Sequence, residues 1–162
     1  MENQPKKRPQ KIALVGEVLK KIRHYCAYQE RSHREVKDKL VSLGVPLPTA
    51  DEILTQLITE GFINEERFAR AFAGGKFRMK KWGRLKIENE LKMHGLTPRC
   101  IRLGLSEIDM QDYRKALAGL LEKKGEENKD LSPFIRKRKQ AAYALAKGYE
   151  PDLIWMMLED DR

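Results

Sequence analysis

Apolar residues recur every three to four positions through most of the chain, the period of a helix lying against a core. Val15, Val18, Leu19, Ile22, Tyr25 and Cys26 predict a first amphipathic helix over 12–29. Ser32 is placed to cap a second, with Val36, Leu40 and Leu43 inward and Gly44 as its left-handed stop. Thr49 and Glu52 have the spacing of a capping box and predict a third helix, with Ile53, Leu54, Leu57 and Ile58 buried and Gly61 at its end. The plan then starts again. Asn64 caps a helix with Phe68 and Phe72 one turn apart; after Trp82 and Gly83 come Leu85, Ile87 and Leu91; Thr97–Pro98 opens the next, proline taking a first-turn position that needs no N–H. Asp109 caps a helix with Tyr113, Leu117, Leu120 and Leu121, Ser132–Pro133 starts another, and Pro151 opens a short last one with Ile154, Met157 and Leu158 inward. Only Gly125–Leu131 (GEENKDL), polar and without apolar anchors, reads as a flexible joint, either a hinge or, the preferred reading, an exposed loop. No run alternates with period two between turn signals, so the expected fold is all-α.

One phrase occurs three times: SHREVKDKLVSLG, GRLKIENELKMHG and RKRKQAAYALAKG, whose closing glycines (Gly44, Gly95, Gly148) stand 51 and 53 residues apart. After each glycine comes an apolar or aromatic residue (Val45, Leu96, Tyr149) and then a proline-containing helix entry. A period of about fifty residues predicts tandem three-helix repeats that present an extended surface rather than a pocket. The expected organisation is a basic tail over 1–11 and helical repeats over 12–61, 62–107 and 108–162, in an elongated, curved arrangement. The tail lacks the apolar centre of a secretory signal and is expected to be disordered.

Composition narrows the function. Thirty-three Lys and Arg against 24 Asp and Glu leave a formal charge of +9, which suits a polyanion or an acidic protein surface as partner. The two cysteines, Cys26 and Cys100, lie in different repeats without a CxxC, as expected of buried thiols in a reducing cytoplasm. No stretch of 18 or more apolar residues occurs, so no membrane span is expected. His24, His33, His94 and the cysteines have no metal-ligand spacing. Gly74–Gly75 before Lys76 lacks the upstream glycine and strand of a phosphate-binding loop, and the carboxylates mostly sit beside Lys or Arg. A catalytic site, a metal and a cofactor are not expected.

The cations do stand out. KFRMKKWGRLK carries Lys76, Arg78, Lys80, Lys81, Arg84 and Lys86 in eleven residues with no acid, at the turn between two predicted helices. Such a corner, with a helix N-terminus adding positive charge, can hold phosphate oxygens or carboxylates. The interleaved Phe77 and Trp82 are expected to be core anchors. Arg136, Lys137, Arg138 and Lys139 hold the aligned position of the third repeat, so a basic stripe along successive repeats is expected.

INEERFARAF (Ile63–Phe72), then Arg78, Lys80, Lys81, Gly83 and the I-x-x-E-L core of Ile87, Glu90 and Leu91, resembles the RecX regulators of the RecA recombinase. RSHREVKDKL (Arg31–Leu40) is similar to that family's first-repeat signature. The resemblance runs over about 20–158. It implies three tandem three-helix units and a non-enzymatic protein that lodges in the groove of the RecA–DNA filament and restrains ATP hydrolysis, strand exchange and filament growth. The third repeat departs from the family in GEENKDL and the Ala-rich Ala141–Ala146 segment. The expected contact residues are Arg67, Arg70, Lys76, Arg78, Lys80, Lys81, Arg84, Lys86 and Arg136–Lys139, on a chain expected to be a cytoplasmic monomer.

The rival reading is direct DNA binding by a basic three-helix module. The third helices are poor readers: Ala50–Glu60 is acidic, Pro98–Ser106 offers only Arg99 and Arg102, and Pro151–Asp160 has no cation. Weak, salt-dependent contact with single- or double-stranded DNA is therefore expected instead of sequence recognition.

Overall fold

The computed structural model describes the backbone of residues 8–160 and the side chains of residues 14–160. Among the described residues there are nine helices and no strand: α1 (Arg8–Tyr28), α2 (His33–Ser42), α3 (Leu47–Thr59), α4 (Glu65–Lys80), α5 (Arg84–Met93), α6 (Pro98–Leu105), α7 (Met110–Glu127), α8 (Pro133–Lys147) and α9 (Pro151–Asp160). Helix α1 begins inside the segment expected as a tail; the rest of that segment, residues 1–7, lies outside the described residues. The chain packs as two compact units, Met1–Phe68 and Ala69–Arg162, with the division falling within α4. The third repeat and most of the second thus lie together in the second unit.

In the first unit Ile22, Cys26, Val36, Leu40, Ala50, Ile53, Leu57 and Ile63 form one buried cluster. The capping box is at α2: Glu35 N–H donates to Ser32 Oγ (3.1 Å) and Ser32 N–H to Glu35 Oε2 (2.9 Å). Thr49 and Glu52 do not form the expected one, because α3 already starts at Leu47 with Pro46 as an extended cap. Pro48, in its first turn, has no N–H to satisfy, so the helix starts earlier than a threonine cap would allow. Its buried stripe is correspondingly Ala50, Ile53 and Leu57, while Ile58 is exposed.

In the second unit the rings of Phe77 (α4), Tyr113 (α7) and Tyr149 (after α8) form a chain with centroids 5.9 and 4.9 Å apart. Helix α6 crosses α4 closely enough that a Cβ on Gly104 would lie 2.7 Å from the Ala69 carbonyl oxygen. The expected GEENKDL loop is corrected: α7 continues to Glu127, and only 128–132 leave helical geometry. Gly125 serves packing there. A Cβ on it would lie 2.6 Å from Nε2 of Gln140 (α8), which donates to the Leu121 carbonyl at 2.8 Å. Leu85, expected inward, is exposed, whereas Ile87 and Leu91 are fully buried.

Candidate partner-binding surface

Helix α4 ends in a tight cap. Trp82 N–H reaches back to the Lys76 carbonyl (3.4 Å) and Lys81 N–H to that of Phe77 (3.0 Å), with Lys81 at φ 56°. The Lys81-to-Phe77 bond makes this an αL-type stop with lysine where glycine is usual, a strain of about 1–2 kcal/mol for an L-residue. The third repeat holds this corner. Tyr149 Oη donates to the Lys81 carbonyl (2.9 Å), Lys147 Nζ to that of Lys80 (3.3 Å), Gly83 N–H to that of Lys147 (2.7 Å) and Leu85 N–H to that of Gly148 (2.9 Å). The backbones cross at two glycines: a Cβ on Gly83 would lie 2.3 Å from the Gly148 carbonyl group, and one on Gly148 would lie 2.3 Å from Lys86 Cβ. A polar knot closes the crossing. Glu150 accepts from Arg84 Nε and Tyr113 Oη (3.0 Å each), and the Arg84 N–H donates to Tyr113 Oη (3.0 Å). Burial, with the Glu150 carboxylate adding to it, pushes the Tyr149 hydroxyl up to about 12 and that of Tyr113 higher still, so both remain donors.

Beside this corner α4, α7 and α8 enclose an open groove of about 730 Å³. Phe77, Ala116, Gly119 and Leu120 lie at its floor and Tyr143 on its α8 side. Seven cations border it: Arg78, Lys80 and Lys81 from the corner, Lys115, Lys123 and Lys124 from α7, and Lys147 from α8. Two acids accompany them, Asp112 and Glu127, and Glu127 is paired with Lys124 at 3.1 Å. Helix α7 buries Tyr113, Leu117 and Leu121 on one face and turns Lys115, Gly119 and Lys123 to the groove on the other. Those two lysines stand eight residues apart, about 12 Å along the helix. A Cβ on Gly119 would touch nothing within 4 Å, so the floor is open there. An elongated slot with an apolar base and a positive border suits a ligand carrying repeated negative charge.

The expected contact residues separate into different roles. Arg78, Lys80 and Lys81 line the groove. Lys76, Lys80 and Lys86 place their amines 5.0, 5.5 and 4.6 Å from the Trp82 ring, a cation–π cluster beside the corner. Phe77 is buried, as expected of an anchor, but Trp82 is only half-buried: the Phe72 ring packs edge-on to it at 6.5 Å while the lysine amines lie over the same ring. Arg67, Arg70 and Arg84 have intramolecular partners: Arg67 pairs with Glu30 and donates to the Gly61 and Phe62 carbonyls, Arg70 pairs with Glu107 (2.8 Å), and Arg84 joins the Glu150 knot. Arg136, Lys137, Arg138 and Lys139 occupy the first half of α8 and are not part of the groove's border. Sequence density missed Lys115, Lys123 and Lys124, which are interspersed with Asp112, Glu122, Glu126 and Glu127, and Lys147, which stands alone in an Ala-rich stretch. The four-residue spacing of Lys115, Gly119 and Lys123 was the available signal, since it sorts them onto one face.

Among the described residues no group of three His, Cys, Asp or Glu side chains is placed to hold a metal ion. Cys26 is buried, which pushes its thiol pKa up, whereas Cys100, also expected inside, is half-exposed. No helix among the described residues is long and apolar enough to cross a membrane.

Family models described as the first, second and third three-helix domains of RecX match residues 23–57, 64–105 and 111–158. The chain belongs to the RecX family. It is 27% identical over 154 residues to the regulatory protein RecX of Geobacillus kaustophilus, covering 93% of this chain and 57% of that protein. It is 25% identical over 119 residues to RecX of Streptomyces lividans, covering 74% and 63%. The chain thus spans little more than half the length of these curated relatives. The RecX fold is confirmed by the crystal structure of RecX from Lactobacillus salivarius (TM-score 0.81, 22% identity, 92% of this chain and 97% of that one). A second crystal structure of regulatory protein RecX gives a TM-score of 0.82 at 18% identity, covering 98% and 79%. The RecX-like phrases fall on defined local geometry: Arg31–Leu40 carries the Ser32 capping box, and Ile63–Gly83 carries α4 and its strained stop.

Proposed function

We propose that this RecX protein is a non-enzymatic regulator in the cytoplasm that binds the RecA–DNA filament in its helical groove and inhibits RecA ATPase, strand exchange and filament growth during recombination and repair. The observation that carries the proposal is the positive slot between α4, α7 and α8, whose residues come from the segments matched as the second and third three-helix domains. A filament offers the same acidic or phosphate-bearing features at regular intervals, and tandem repeats can meet them repeat for repeat. Arg78, Lys80, Lys81, Lys115, Lys123, Lys124 and Lys147 form the main contact, and Arg136–Lys139 an additional one. Inhibition needs no reacting group, because a ligand bridging neighbouring subunits opposes the relative movement that turnover and exchange require. Reading of duplex sequence has less support, since α9 bears no cation and α3 is acidic.

The test replaces Arg78, Lys80, Lys115 and Lys123 with Gln, leaving the Arg84–Glu150 knot intact, and measures the DNA-dependent ATPase of the cognate RecA. The expected result is a folded protein, unchanged by circular dichroism, whose inhibition is largely lost and whose residual binding depends less on salt. Full inhibition by the folded variant refutes the assignment of the groove.

A further inference from the structure

A second groove, of about 820 Å³, lies in the first unit between α1 and α2. Lys20, Lys21, Arg31 and Lys39 border it, with a single acid, Glu17. It too carries tyrosines on its wall: Tyr28, at 77%, is far more exposed than Tyr143 of the α4–α7–α8 groove (39%), and Tyr25 is half-buried. Lys20, His24 and Tyr28 form one row along α1 at four-residue spacing, with Lys21 and Tyr25 forming the row beside it. The Arg31 guanidinium lies over the Tyr25 ring, 3.8 Å from its centre, and also donates to the Tyr25 carbonyl (3.3 Å), while Lys39 reaches the same ring from α2 at 5.5 Å. Tyr25 thus holds two cations in place on the groove wall, and Tyr28 is left with a ring to offer.

The geometry points to a binding site for a single strand of nucleic acid in this α1–α2 groove, with Tyr28 as a stacking platform for a base and Lys20, Lys21, Arg31 and Lys39 on the phosphates. Cations interleaved with solvent-facing aromatic rings match what a single strand presents, alternating phosphates and π-faces. An acidic peptide uses the cations and leaves Tyr28 unexplained. A duplex is read by an element that protrudes into its major groove, and this wall is concave. The row from Lys20 to Tyr28 runs about 12 Å, enough for about three or four stacked nucleotides.

The test titrates the full chain, without RecA, into a labelled oligothymidine and a labelled duplex of equal length, followed by fluorescence anisotropy. Its result is therefore independent of whether the protein regulates RecA. Tyr28→Ala is expected to weaken single-strand binding about 5- to 150-fold, the range for one stacked base, and Tyr28→Phe to keep it. Lys20→Gln with Lys21→Gln is expected to lower the slope of log affinity against log salt by about 1.4, about 0.7 for each phosphate no longer neutralised. Lys115→Gln with Lys123→Gln, in the other groove, should leave the Tyr28 effect in place. Unchanged affinity in a folded Tyr28→Ala protein overturns the proposal. Equal, Tyr28-dependent binding of the duplex overturns it too, and so does displacement of the strand by poly-glutamate at matched charge, which identifies an acidic polypeptide site instead.

Discussion

Replacing Gly83 with alanine isolates the backbone crossing that positions the cationic corner. Gly83 has φ −76° and ψ 165°, which any residue adopts, so backbone conformation gives no reason for glycine there. The reason is space. A methyl group at Gly83 would lie 2.3 Å from the carbonyl carbon and oxygen of Gly148 and 2.4 Å from Tyr149 N, and these are main-chain atoms that cannot rotate away. Opening the crossing by about 1 Å stretches two hydrogen bonds, Gly83 N–H to Lys147 O (2.7 Å) and Leu85 N–H to Gly148 O (2.9 Å). Overpacking costs about 1–3 kcal/mol. Each broken bond adds about 1 kcal/mol, and more where the buried group finds no new partner. The expected loss is about 3–5 kcal/mol, a large part of the 5–15 typical of a domain. Urea unfolding followed by far-ultraviolet circular dichroism measures it, and hydrogen exchange at the Leu85 amide reports the crossing directly. Gly119→Ala is the matched control: its methyl meets nothing within 4 Å on an exposed helix face, so it should stabilise by about 1 kcal/mol. A Gly83→Ala protein within about 1 kcal/mol of the parent, with Leu85 still protected, would falsify this account of how the second and third repeats meet.

Two other perturbations probe the same corner. Lys81→Gly removes the strain at φ 56° and should raise the melting temperature by about 2–4 °C while weakening RecA inhibition; a fall in both would mean the backbone there is not strained. Alkali should destabilise the protein from about pH 10 upward. An unfolded tyrosine loses its proton near 10, whereas Tyr149 keeps it to about 12, so the native state binds more protons and stability falls as pH rises through that window. The slope should reach about 1.4 kcal/mol per pH unit per tyrosine, and Tyr149→Phe should flatten it; an unchanged slope in that variant refutes the assignment.

Much of the fold was legible because local signals and the apolar period agree. Ser32, Asn64, Thr97, Asp109 and Ser132 begin helices where their side chains predict, and Gly44, Gly61, Gly95 and Gly148 all take positive φ. The misreadings have physical causes. Prolines on either side of Leu47 moved the start of α3 ahead of the Thr49 signal, and Gly125 was read as a breaker where neighbouring Gln140 needs room. At the candidate site, three residues of the linear cluster, Arg78, Lys80 and Lys81, line the groove. The cluster could not show that Arg84 turns to Glu150, sixty-six positions away in sequence, or that α7 brings Lys115 and Lys123 to the opposite wall. Those facts depend on tertiary partners: the spacing of Lys115 and Lys123 sorts them onto one face of α7 but does not say what that face meets.

The Arg84–Tyr113–Glu150 knot bears on how such a protein can be inherited and dissected. Its three members come from α5, α7 and the turn before α9, so a gene rearrangement that exchanged only the last three helices would leave a guanidinium facing no carboxylate and a glycine crossing without its match. Tandem modules are commonly added or dropped one at a time; here the shared knot and glycine crossing make the second and third repeats the unit expected to be exchanged together.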